Sequence, residues 1–168
     1  MTTTERLPHW RWDTIFQGID TPGFEAAVDG IERDLGELER LVRDPGAAAP
    51  VQTIESVITL SHRLGAQLDD VEGYLYGRID TNAFDDEAQA ARSRLQPLQT
   101  RLSVAMTHFI SWLGAVDLDA AVSESQLAQD HRYALGRYRK LAGHLMGLEA
   151  EEVAETLNNT GGLAWSEL

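Results

Sequence analysis

Apolar residues recur every three or four positions through most of this chain, and clusters of Pro, Gly, Asp and Asn mark where one run stops and the next begins. Phe24, Val28, Ile31, Leu35, Leu38 and Val42 make one such stripe. Asp20-Thr21-Pro22-Gly23 precedes it and Asp44-Pro45-Gly46 follows, so the pattern predicts a helix with Thr21 as N-cap and Pro22 at the first position, where a missing N–H does no harm. A second series, Ile54, Val57, Ile58, Leu64, Leu68, Val71 and Leu75, predicts a helix that starts after Pro50 with Thr53 as cap and stops near Gly77. The third runs through Phe84, Ala88, Ala91, Leu95, Leu98, Leu102, Met106, Phe109, Ile110 and Leu113, with Asp85, Asp86 and Glu87 placed where a helix N-terminus favours negative charge. Pro97 lies inside it and predicts either a kink or two abutting helices.

After a connector from Gly114 to Leu118, Ser123 and Gln126 read as a capping box that opens a fourth helix with Leu127, Ala134, Leu135, Tyr138, Leu141, Ala142 and Leu145 on its apolar face. A short helix over Glu149 to Leu157 completes the series. No run of β-branched residues alternates with period two, and no Asn-Gly hairpin joins such runs. The expected class is therefore all-α: an elongated antiparallel bundle of about four long helices plus short ones, in a single domain. Within it, 1–20 is a leading segment, 21–158 the bundle, and 159–168 the start of a following element. Leu163, Trp165 and Leu168 begin an apolar pattern too short to bury itself, and further polypeptide is expected to cover it.

Charge and composition narrow the functional classes. The 168 residues include 27 acidic and 14 basic side chains, a formal charge of -13, which disfavours phosphate backbones and anionic lipid, so neither nucleic acid nor membrane is an expected partner. Without cysteine there is no thiol catalysis and no thiolate zinc site. Met1 to Leu7 lacks the apolar stretch of a secretory signal, and the uncharged run between Arg101 and Asp117 is shorter than the ~20 residues of a membrane span, so a cytoplasmic location is expected.

The histidines do not form a motif. A helical zinc-peptidase site needs His at i and i+4 with Glu beside the first, and none of His9, His62, His108, His131 and His144 has that surrounding. The di-iron pattern of Glu three residues before His also fails, since those positions hold Arg6, Thr59, Ala105, Ala128 and Leu141. Spacing leaves open whether His62, His108, His131 and His144 converge from different helices. Arg132, Tyr133, Arg137, Tyr138, Arg139 and Lys140 interleave basic and aromatic residues, but helical geometry sends Tyr138 to the apolar stripe and Arg132 and Arg139 outward, the pattern of a solvated face. Asp69-Asp70, Asp85-Asp86 and Glu151-Glu152 read as helix surface and caps. Asn158-Asn159-Thr160 reads as a turn ahead of Gly161-Gly162, which has no phosphate-loop lysine. No residue is nominated as catalytic, as cofactor-binding or as a metal ligand.

Two segments are more distinctive. Trp12-Asp13-Thr14-Ile15-Phe16-Gln17-Gly18-Ile19-Asp20-Thr21-Pro22-Gly23-Phe24, and His144-Leu145-Met146-Gly147-Leu148-Glu149-Ala150-Glu151-Glu152 with Thr160-Gly161-Gly162-Leu163-Ala164-Trp165-Ser166-Glu167-Leu168, resemble the two ends of the N-terminal helical lobe of oligoendopeptidase F-like zinc metallopeptidases, members of the thimet oligopeptidase family. Gly147 stands where that family often has a Ser cap, and Gly is an acceptable substitute. The resemblance implies one wall of an oligopeptide channel, with the zinc held by a catalytic lobe of the same parent chain that lies outside these residues. It places no catalytic position here, and Trp12, Phe16 and Trp165 are expected as packing anchors. The alternative is a stand-alone helical interaction protein that forms a homodimer and has no enzymatic activity.

Overall fold

The structure, a computed structural model, describes residues 11–45, 49–158, 161–162 and 165. His9, Leu163 and Leu168, and the Asn159-Thr160 part of the expected turn, lie outside them. The fold is all-α, and among the described residues the order is α1 (Pro22–Arg43), α2 (Pro50–Thr81), α3 (Asp86–Leu113), α4 (Leu118–Ser123), α5 (Gln126–Asp130), α6 (Arg132–Ala142) and α7 (Leu148–Asn158). No helix among those residues is long and apolar enough to cross a membrane.

α1 follows its sequence pattern. Thr21 Oγ1 accepts from the Phe24 N–H at 3.4 Å, Pro22 opens the helix, and all six stripe residues are buried. α2 also buries its expected series but departs at both ends. Pro50 occupies the first turn with Ala49 as N-cap, and Thr53 points into the core, its Oγ1 lacking a hydrogen-bond partner. Thr53 is thus a core residue where a cap was expected, because Pro50 with its preset φ already begins the helix. At the other end α2 runs past Gly77 to Thr81.

α3 is one helix through Pro97, which excludes two abutting helices. Pro97 and Ser93, whose carbonyl loses its intrahelical partner, are both exposed. Phe84 is no part of the stripe: it precedes the N-cap and is 90% exposed, while Asp85 caps the helix by accepting from Ala88 N–H at 3.0 Å.

The expected fourth helix is broken into two, α5 and α6, and a further short helix, α4, stands ahead of it. Leu118 begins α4 rather than ending a connector, Ser123 ends that helix, and Ser125, not Ser123, is the N-cap of α5. A further break at His131 separates α5 from α6. Only Leu135 is buried in α6, whereas Ala134 and Leu141 are exposed. The amphipathic series is therefore divided between α5 and α6, and Leu145 lies past the end of α6.

Side-chain pairs give the directions of the long helices. Asp34 and Glu37 of α1 meet Arg63 of α2, and Asp34 also meets Gln67, so rising numbers on one helix meet falling numbers on the other. Glu72 pairs with Gln99, Tyr76 with Arg92 and Ser61 with Met106, again in opposite senses. α1 and α3 consequently run the same way, joined by Glu25–Arg94 and by a two-pronged Glu39–Arg101 pair at 2.9 and 2.8 Å. Their shared core includes Phe24, Leu38, Ile54, Leu75, Leu95 and Leu113, each burial favouring the fold by about 1.5–3 kcal/mol before chain entropy is charged against it. α7 packs on α3 and has no buried residue.

Candidate functional site

The histidines separate into unlike environments. His108 Nε2 lies 2.7 Å from Glu152 Oε1 and joins α3 to α7. His144 is exposed beside a groove of about 490 Å3 lined by Tyr133, Arg137, Tyr138 and Leu141. His62 and His131 come together: their Nε2 atoms are 3.2 Å apart and their ring centroids 4.9 Å, with the planes inclined by 48°. Of the four histidines whose convergence spacing left open, two meet.

Local structure explains why this pair forms. Glu55 and His62 are two helical turns apart on α2 and so share a face. Ser125 Oγ accepts from Ala128 N–H as the cap of α5 and donates to Glu55 Oε1 at 2.6 Å, docking α5 onto α2. His131 then sits at the α5–α6 break with φ -99° and ψ 8°. The Leu127 carbonyl accepts from His131 N–H at 3.3 Å and from its Nδ1 at 2.9 Å. A carbonyl only accepts, so His131 Nδ1 carries the proton and, in the neutral ring, Nε2 presents its lone pair to His62. His62 Nε2 is then the donor. Behind the two rings lies a cavity of about 210 Å3, with Ser61, Met106, Phe109, Leu135 and Tyr138 in its wall. No group of three or more His, Asp and Glu side chains converges in a metal-holding arrangement among the described residues.

The other sequence candidates resolve as structure. Arg137, Arg139 and Lys140 are exposed, Arg132 pairs with exposed Asp119 at 3.3 Å, and Tyr138 packs edge-on against Phe109 at 6.5 Å. Asp69 and Asp70 are exposed, and Glu151 Oε1 accepts from the Met146 N–H at 2.7 Å just ahead of α7. In the leading segment Phe16 stands 5.3 Å from both Phe24 and Tyr74, and the Trp12 ring lies flat on α2 at Gly77, where an added Cβ would come within 2.3 Å of it. Trp12 and Phe16 are packing anchors as expected. Trp165 is 75% exposed.

Two polar clusters escaped the sequence pattern. Asp34, 2% exposed, accepts from Arg63 Nε at 2.6 Å and from Gln67 Nε2 at 3.2 Å. Its adjacency to the stripe residue Leu35 was the available signal, but a count of apolar positions assigns it to the wet face. Arg78 bridges Asp85, Glu87 and the Tyr74 hydroxyl. Burial works against the Arg78 charge, yet its hydrogen bonds to Asp85, Tyr74 and Glu87 outweigh that and hold the guanidinium above its ordinary range. The bond from Arg78 in turn holds the Asp85 carboxyl below the usual carboxylate range. Both clusters join elements and have no reacting partner nearby.

Comparison with protein-family models, with curated proteins and with solved structures finds no match.

Proposed function

We propose that this chain is the N-terminal helical lobe of an oligoendopeptidase F-like zinc metallopeptidase, a cytoplasmic enzyme, and that its elongated antiparallel bundle forms one wall of the oligopeptide channel. The observation that supports this most is where apolar surface is left uncovered. Leu141, Met146, Val153 and Trp165 are all 46% exposed or more, and Met146 and Trp165 lie within the segments whose sequence resembles the end of that family's lobe. Exposed apolar residues of this kind fit a lobe that packs against a catalytic half of the same polypeptide. The zinc and the Glu general base belong to that half, where a metal-activated water would attack the scissile carbonyl.

Two measurements test the reading. The purified chain, supplied with zinc and a fluorogenic oligopeptide, is expected to show no turnover, and an antibody raised against it should detect in source cells a much larger, zinc-containing polypeptide. Turnover by the chain alone, or a native product of only the chain's own mass, would overturn it. The same exposed apolar residues favour a second reading, a homodimeric helical interaction protein. That alternative requires light scattering to give twice the chain's mass, together with a native product no larger than the chain.

A further inference from the structure

We propose that His62 and His131 form a binding site for a borderline divalent transition-metal ion that clips α2 to the α5–α6 break. The inference is independent of the channel-wall reading, because the site is structural and takes no part in peptide hydrolysis.

The separation of the two nitrogens fits two donors on one ion. With metal–nitrogen bonds of about 2.0–2.1 Å, nitrogens 3.2 Å apart subtend an angle of about 100–105° at the metal. That lies between the square-planar and tetrahedral values, so the separation of the two donors already suits one ion. His131 is oriented as a ligand: its Nδ1–H is fixed on the Leu127 carbonyl, which sets the tautomer and leaves Nε2 for coordination. His62 must give up its Nε2 proton, and because its side chain is exposed, water can exchange that proton to Nδ1. The step conserves protons: one N–H is lost at Nε2, one forms at Nδ1, and both rings remain neutral.

Surroundings favour the ion further. The cavity behind the rings presents Met106, Phe109 and Leu135, an apolar backing that strengthens the two metal–nitrogen bonds, while the exposed side leaves the remaining positions to water. Two imidazoles without a thiolate suit copper(II), nickel(II) or zinc(II), with copper(II) bound most tightly. No third carboxylate or imidazole joins them among the described residues, which is why the site lacks a base to activate water.

The test uses the whole chain, stripped of metal, titrated with copper(II), nickel(II) and zinc(II) by calorimetry and followed by thermal melting. One ion per chain is expected, with a rise in Tm that grows with metal concentration. The copper(II) form should show electron-spin coupling to two imidazole nitrogens. His62→Gln and His131→Gln are each expected to weaken binding about tenfold or more, whereas His144→Gln leaves it unchanged. Since His62 is exposed, its variant keeps the fold even where loss of the His131–Leu127 bond unsettles α5. Absence of binding, or binding that survives His62→Gln, would overturn the proposal.

Discussion

Single side chains in this protein carry consequences whose sign can be worked out in advance. Thr53 buries a hydroxyl with no partner, so Thr53→Val, which keeps the shape and removes the stranded group, is expected to raise stability by about 1 kcal/mol, read as a higher urea midpoint at constant slope. A fall in midpoint would show that the hydroxyl is satisfied in solution. Gly77 poses a sharper case. Alanine is favoured over glycine inside a helix by about 1 kcal/mol, but here its methyl would collide with the Trp12 ring, and overpacking of that kind costs about 1–3 kcal/mol. Gly77→Ala is expected to destabilise, and to shift tryptophan emission toward the red as Trp12 is displaced. In a Trp12→Ala background the same change should stabilise by about 1 kcal/mol, and an unchanged sign there would refute the stacking. Neither effect is legible in sequence. Both depend on which neighbour faces a small or polar residue, and spacing along one helix carries no such information.

At the scale of elements, the sequence specified α1 almost completely, because Thr21, Pro22 and an unbroken stripe act together over one continuous helix. It failed where tertiary contacts decide. Pro97 was compatible with a break, yet the helix runs through it at an exposed position. The helix expected from the Ser123–Gln126 capping box onward reads as continuous from its apolar spacing, yet it opens at Ser125, which bonds Glu55, and breaks at His131, which meets His62 on α2. Which of the four histidines would meet was not legible for the same reason, since His62 and His131 are far apart in the chain. The ionic links between elements also set the response to acid. Hydrogen bonds from Arg78 and from Arg101 keep Asp85 and Glu39 below the usual carboxylate range. Depressed carboxylates contribute stability that is present above their unfolded values, about pH 4, and is lost as pH falls through the folded ones. Melting temperature should thus be level from neutrality to about pH 5 and fall below about pH 4, and Glu39→Gln or Asp85→Asn should flatten that fall. A variant that retains the full acid decline would remove its carboxylate from the account.

Over the whole molecule, burial is unevenly distributed. α1, α2 and α3 share a continuous core, while α6 contributes one buried side chain and α7 none. The all-α class was legible because helical periodicity runs the length of the chain, but this gradient was not, since the late stripes look as apolar as the early ones. Its consequence is kinetic. Opening of α7 gives up the His108–Glu152 link and half-covered surface but leaves the α1–α3 core intact. In deuterium-exchange mass spectrometry of the isolated chain, amides of α7 should therefore exchange through local opening at rates insensitive to low denaturant, while those in the middle of α2 wait for global unfolding. Uniform protection across both would mean that the two ends of the protein come apart together.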